Sequence, residues 1–322
     1  MLYLGIDGGG TKTEFILIDE QGNIKANVIK PTSHYKQTSF DNFKLIIESG
    51  INEICEKSSI KIVDIEFTLL GLAGYGALSK DKVKIDKIVS EILKSDKFKC
   101  VADSEVAWAG SLALQQGINI VAGTGAIGFA QDTNNNSARA SGWGDLIGDE
   151  GSAYWLSIKM LSLFAKQADG RIEKTPLYYI IKDNFKIKDD FEILDIVLNQ
   201  LERKRDKIAA LAVLLFKAAQ NNDKLAIDIY KQAAYEHFLI IKALVNKMDF
   251  DINKDILVSY SGGVFKAKDY VLTPLTLYLK KYNPRIKLIK PLLDPAKGAA
   301  IYAIFSSGNN PDQAIKHLQS QV

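Results

Sequence analysis

Cysteine and histidine are scarce in this chain. Two cysteines in 322 residues, Cys55 and Cys100, could form one disulfide but cannot build a disulfide scaffold or a cysteine-rich metal cluster. The three histidines, His34, His237 and His317, are scattered without metal-ligand spacing, so no structural metal is implied. Charge of one sign is also not in excess. The 41 Lys and Arg against 38 Asp and Glu leave a net charge of +3, too balanced for nucleic acid or an anionic membrane to be the main partner. No uninterrupted apolar stretch is long enough to span a bilayer. The N-terminus opens on strand-like residues rather than on a charged and then apolar leader, so the chain reads as cytoplasmic. A long Pro/Ser/Gly linker is missing too. What remains is a composition 47% hydrophobic and 25% charged, that of a globular protein, in a length that suits two ordinary domains.

The first thirteen residues organise the rest. Residues 2–6 are apolar, Asp7-Gly8-Gly9-Gly10-Thr11-Lys12-Thr13 follows, and Phe15-Ile16-Leu17-Ile18 resumes the apolar pattern. Two strand-like runs joined by a glycine turn read as a β-hairpin. Three adjacent glycines carry no Cβ, so backbone N–H groups can approach an anion closely. Thr11 adds a hydroxyl. Asp7, at the end of the first strand, would sit beside a bound phosphate, where a carboxylate is useful mainly for holding Mg²⁺. The plainer alternative is an ordinary hairpin. This is not the Walker pattern, because no Gly-Lys-Ser/Thr and no helix follow at the required spacing.

A polar turn at 19–23 leads to a third antiparallel strand at 24–29. Apolar residues at helical spacing mark helices at 43–55 and 83–93, strands are expected at 65–72 and 98–102, and an alanine-rich helix at 105–114. Strands followed by alternating helices and strands give a mixed sheet with helices on its faces. The pattern then restarts near Gly117. A strand at 118–122, the turn Gly123-Thr124-Gly125 and a strand at 126–131 repeat the strand, glycine turn and strand of residues 2–18. Gly142-Trp143-Gly144-Asp145 and Gly148-Asp149-Glu150-Gly151-Ser152 form a glycine-rich loop, with Glu150 or Ser152 able to start the next helix. Residues 175–247 are almost wholly helical in pattern, with 208–219 buried. A strand at 256–260, Ser261-Gly262-Gly263, a helix at 270–281, a short strand at 286–289 and terminal helices complete the chain.

Two glycine hairpins heading two similar halves are a more specific sign than either alone. They suggest two phosphate-binding turns serving one nucleotide, with Gly262-Gly263 supporting its adenosine. Asp103 ends a strand, a common catalytic placement in open α/β sheets. It could equally be a helix N-cap, and the two readings are compatible.

The Asp7–Thr13 turn, Asp103, Gly123-Thr124-Gly125, and above all Gly142-Trp143-Gly144 with the run from Gly148 to Trp155 resemble the N-acetylglucosamine kinases. These belong to the BadF/BadG-type ATPases of the actin-like sugar-kinase superfamily, and the resemblance runs along essentially the whole chain, in order. It implies an α/β fold of two actin-like (ribonuclease H-like) domains, mixed sheets flanked by helices, around a nucleotide and sugar cleft. The expected domains are 1–116 and 117–294, with terminal helices 295–322 packing back on the first. It also implies ATP and Mg²⁺ as cofactors and transfer of the γ-phosphoryl to the 6-hydroxyl of an N-acetylated amino sugar. By that likeness Asp103 is the general base, and Asp7 holds Mg²⁺ through water. Gly9, Gly10, Thr11, Lys12, Thr124 and Gly125 bind phosphate, and Ala210, Gly262 and Gly263 lie near the base. Ser33, His34, Ala126, Gly142, Trp143, Gly144 and Asp149 line the sugar. A homodimer is implied in the same way. The chain departs from the family at Ser33, where an asparagine is usual, and at Ala126, where a serine is usual. Smaller or less polar side chains there imply breadth among amino sugars, reaching a lactyl ether such as N-acetylmuramate.

A different class, an ATP-driven activator of a radical dehydratase in the cluster-binding branch, would need cysteines in a glycine-flanked interface loop. Cys55 instead falls in a helix pattern and Cys100 in a strand. Another hexose or glucosamine kinase, and a non-catalytic regulatory ATPase module, are further alternatives. His237 reads as structural, Trp108 and Trp155 as core, Trp143 as a site residue, and the charge run 202–207 as a solvated helix start.

Overall fold

The computed structural model describes residues 1–321. They divide into two compact units: Met1–Asn119 together with the residues from Ile289 onward, and Ile120–Leu288. In the first unit β1 (Leu2–Gly8), β2 (Lys12–Asp19), β3 (Ile24–Pro31), β4 (Ile65–Leu72) and β5 (Phe98–Ala102) form one sheet of order β3-β2-β1-β4-β5. β1 is antiparallel to β2 and parallel to β4, and β5 is parallel to β4. β1 is apolar along nearly its whole length because both of its faces are covered. Leu4 and Ile6 join Phe43, Ile47, Ile51, Ile85 and Val89 from the helices Phe40–Ser58 and Ser79–Leu93 in one core.

Period-2 alternation puts Tyr3, Gly5 and Asp7 on the opposite face, where the helices Asp103–Ser111 and Pro295–Ser306 lie. Asp294 caps the second of these, accepting from the Lys297 N–H at 2.9 Å, and Pro295 opens it. The helix is buried nearly all round, from Ala296 to Ile304, with Lys297 half-buried. Only glycine permits its approach. A Cβ on Gly5 would stand 2.3 Å from the Ala300 nitrogen, and one on Gly298 would stand 2.3 Å from the Gly110 nitrogen.

The second unit repeats the plan. β6 (Gly117–Ala122), β7 (Ala126–Gln131), β8 (Ser137–Ser141), β9 (Ile256–Ser261) and β10 (Ile286–Leu288) have the order β10-β9-β6-β7-β8, the first sheet's order element for element. The helical stretch is more broken than its composition suggests. It runs as Pro176–Phe185, Glu192–Asp195, a π turn Ile196–Gln200, Arg205–Ala209, Ala212–Gln220 and Lys224–Lys247. The segment 208–219 is therefore two helices, and near the break the Ala209 carbonyl accepts from Ser157 Oγ at 3.4 Å. Both cysteines are free thiols. Trp108 is buried, whereas Trp155 is half-buried under Lys159 Nζ, 5.0 Å from its ring. Among the described residues no helix is long and apolar enough to cross a membrane.

Candidate active site

The candidate site of the first unit lies where β1, β4 and β5 end together. Asp7 is directly opposite Glu14 across the hairpin and beside Gly71 of β4, and Leu72 pairs with Ala102, the residue before Asp103. The two carboxylates thus stand one strand apart, about 10 Å at the backbone. Burial pushes the Asp7 carboxyl up to about 7, with Asp103 and Glu14 adding repulsion and only Lys12 opposing it. Burial likewise pushes Asp103 up to about 6, against the pull of hydrogen bonds from the Ser104 N–H and its own N–H. Asp103 is the first residue of its helix. Ala102 holds the cap position, and Asp103 Oδ1 accepts from the Ser104 N–H at 2.9 Å. The N-cap reading of Asp103 is thereby corrected: the carboxylate sits inside the helix terminus and keeps an oxygen for other work.

The first glycine turn is a tight one, with the Gly9 N–H donating to the Lys12 carbonyl at 3.0 Å. Gly10 is half-buried and Thr11 exposed, and Lys12 Nζ lies 2.5 Å from Glu14 Oε2. Residues 32–34 are laced to this turn. Thr32 Oγ1 donates to the Gly9 carbonyl at 2.8 Å, the Ser33 N–H donates to Thr13 Oγ1 at 2.9 Å, and the His34 N–H donates to Thr32 Oγ1 at 3.1 Å. Ser33 is 2% exposed, and its hydroxyl is buried without a hydrogen-bond partner, 2.7 Å from where a Gly8 Cβ would stand. A buried hydroxyl left unpaired is costly unless something else completes it.

The candidate site of the second unit is built from β6, β7 and the loop 142–152. The Gly123 N–H donates to the Gly125 carbonyl at 2.9 Å, and the Gly123 carbonyl accepts from the Ala153 N–H at 2.8 Å. Gly262 abuts this turn: its φ is +101°, and a Cβ there would be 2.4 Å from the Ala122 carbonyl oxygen. Gly263 and Ala210 are exposed. Gly142 bonds the Ala126 carbonyl at 2.9 Å, and the Ala126 N–H donates to Asp149 Oδ1 at 3.3 Å. Ala126 is itself 1% exposed, so its part in the site is played by its backbone. Gly144 takes a positive φ with open space beside it, and Trp143 is exposed. Ser152, rather than Glu150, starts the next helix, accepting from the Trp155 N–H at 3.1 Å.

Two residues join this site although nothing in the sequence marks them for it. Arg205, read within a solvated charge run, turns inward and donates from a terminal guanidinium nitrogen to Asp149 Oδ2. His237, on the helix Lys224–Lys247, is fully buried and bonds the Gly151 carbonyl through Nε2 at 3.0 Å. Its burial lowers the imidazole to about 4, so the ring is neutral. Neither contact leaves a mark in the sequence, since each depends on chain segments more than 50 residues apart.

The donor set of the first unit's site is hard oxygen. Mg²⁺ is commonly held by one or two carboxylates plus water and substrate phosphates, which suits Asp7 with Asp103 close by. Among the described residues no cluster of three or more acidic, His or Cys side chains could hold an ion alone, so an ion here would draw its other ligands from water and phosphate. The thiols offer no cluster site. Cys100 is buried in β5, and Cys55 is half-buried in the helix Phe40–Ser58.

The sequence profile of the BadF/BadG/BcrA/BcrD ATPase family matches residues 4–303. The chain belongs to this family. One relative within reach of this BadF/BadG-type chain is the N-acetylmuramic acid/N-acetylglucosamine kinase of Clostridium acetobutylicum. It is 31% identical over 300 residues, covering 93% of this chain and 97% of that one. The N-acetyl-D-glucosamine kinase of Dictyostelium discoideum is 28% identical over 314 residues, covering 95% and 98%. Among solved structures, a protein of Chromobacterium violaceum provisionally assigned as an N-acetylglucosamine kinase superposes with a TM-score of 0.71 at 24% identity over 94% and 98% of the two chains. A ROK family glucokinase of Streptomyces griseus, in complex with glucose and AMPPNP, gives 0.58 at 17% over 93% and 98%. The fold of this BadF/BadG-type ATPase is accordingly that of two actin-like domains.

Proposed function

We propose that the protein is an ATP- and Mg²⁺-dependent kinase that transfers the γ-phosphoryl to the 6-hydroxyl of an N-acetylated amino sugar. The observation that carries this reading is the pair Asp7 and Asp103 at the ends of the parallel strands β1 and β5, on either side of β4, both carboxyls raised and Asp7 next to a glycine turn. Phosphoryl transfer asks mainly for positioning and charge neutralisation. Asp103, with a carboxyl near 6, is ionised at neutral pH yet basic enough to take the hydroxyl proton as the sugar oxygen bonds to phosphorus and ADP leaves. Asp7 would hold Mg²⁺ through water, and the ion would neutralise charge on the phosphate oxygens. The N–H groups of residues 10–12, 124 and 125 would hold the phosphates, the Gly9 and Gly123 N–H groups closing their own turns, and Gly262 and Gly263 would border the base.

The sugar reading rests on the loop 142–149, with the Asp149 carboxylate fixed as an acceptor, and on the unpaired Ser33 hydroxyl. The names of the two sequence relatives support the same class. A serine in place of an asparagine supports acceptance of more than one N-acetylated sugar.

Coupled ADP release is the test. Mg²⁺-ATP with N-acetylglucosamine or N-acetylmuramate is expected to turn over, ahead of glucosamine, N-acetylmannosamine and glucose. Silence from folded protein across that panel would overturn the reading, and turnover of N-acetylglucosamine alone would remove the breadth. Asp103→Asn is expected to cut turnover by roughly a thousandfold while circular dichroism and Tm stay near those of the parent. Near-normal turnover would dismiss the assigned base. The homodimer implied by resemblance is read by light scattering.

A further inference from the structure

Arg205 pairs with Asp149 beside the second glycine turn. It opens the short helix Arg205–Ala209 while its guanidinium reaches back to Asp149, 56 residues earlier in the chain. Asp149 is 2% exposed and holds a left-handed backbone, φ +59°. Its other oxygen accepts from the Ala126 N–H. The guanidinium also lies over the second glycine turn. A Cβ on Gly125 would be 2.4 Å from the Arg205 Nη2 atom and 2.9 Å from Asp149 Oδ2. Arg205 Nε is 3.6 Å from Asp145 Oδ1, outside hydrogen-bond reach.

We propose that Arg205 is a positioning residue for the sugar: it keeps the Asp149 carboxylate ionised and aimed, and it joins the sugar loop to the second glycine turn. The inference rests on the sugar-kinase reading of that loop. Its physical ground is the imbalance of charge. Asp149 faces Arg205, Asp145 and Glu150, with Tyr154 close to Asp145 and Arg205. The helix behind the loop contributes neutral His237 through the Gly151 carbonyl. Arg205 is thus the only cation among the groups named. Burial raises the Asp149 carboxyl and Arg205 lowers it. Without Arg205 the carboxyl would hold its proton to higher pH and lose an acceptor oxygen. As a buried carboxylate stripped of its partner, it would also be free to turn.

Arg205→Met keeps the length of the side chain and removes the charge. It is expected to raise the KM for N-acetylglucosamine by about 30-fold at pH 7, as for one partner lost from a buried charge pair, with a much smaller effect on the KM for ATP. The sugar KM should also worsen more steeply than the parent's as pH falls, because the protonated carboxyl has one acceptor oxygen fewer. Arg205→Lys should restore part of the loss. Asp149→Asn supplies the second arm, because an amide needs no counter-charge. Adding Arg205→Met to Asp149→Asn should then cost almost nothing further, measured by calorimetric sugar binding even where turnover is lost. An unchanged sugar KM in Arg205→Met, or fully additive losses in the double variant, would overturn the inference. If the parent enzyme itself turns over no amino sugar, the sugar reading fails instead.

Discussion

Asp7 and Asp103 show what a site costs the chain that carries it. Each carboxyl is raised above its ordinary value of 3.8, Asp7 to about 7. Between pH 3.8 and 7 the folded protein therefore holds protons that the unfolded chain has released, so this group gains stability as pH falls and loses it as pH rises through 7. In protein free of metal and nucleotide, Asp7→Asn should raise Tm at pH 8 by about 2–5 °C and flatten the pH dependence of Tm between pH 5 and 8. A lower Tm at pH 8 would show that the carboxylate is held by something more than burial and repulsion. Of these residues, Asp7 and Asp103 were legible in the sequence, because each is an acidic residue within one position of the C-terminal end of a strand-like apolar run. Arg205 was not. In Glu202-Arg203-Lys204-Arg205-Asp206-Lys207 the neighbours do form exposed pairs, Glu202 with Lys204 and Lys207. Nothing local distinguishes the one arginine that folds inward.

At the scale of elements, the hairpins and the parallel strands were readable because each is specified by near neighbours: an apolar run, a glycine turn, a second apolar run. Helix breaks were not, since the interruption after Ala209 coincides with a hydrogen bond from Ser157, far away in sequence. Nor was the glycine contact between Asp103–Ser111 and Pro295–Ser306. Backbone lies on both sides of that contact, a Gly110 Cβ meeting the Asp294 carbonyl oxygen at 2.4 Å, so no flexible side chain can yield. Gly298→Ala should destabilise the first unit by about 3 kcal/mol or more, at the upper end of overpacking, and lower Tm or the yield of soluble protein. Gly308→Ala is a poor control because of its positive φ, +87°, but Gly263→Ala meets no atom within 4 Å. Parent-like stability in Gly298→Ala would mean that the two helices can part without loss.

For the whole molecule, the repeated strand order could be seen in the sequence as a restarting pattern, while the packing of residues 295–322 on the first domain was expected from the family resemblance alone, because those helices look like any other amphipathic or apolar helices. Their packing against β1 has a bearing on how the protein is made. The strand at the start of the first unit is covered by a helix translated almost three hundred residues later. A growing chain leaving the ribosome can close its second sheet first, since β6 to β10 and their helices lie within one stretch. The first sheet must wait with one apolar face only partly covered until residue 306 has emerged. During that interval β1 and the part of β4 under Pro295–Ser306 lack that helix, although Asp103–Ser111 can already lie on β4 and β5, and the nascent protein is most exposed to chaperones, and to its own neighbours on the same message.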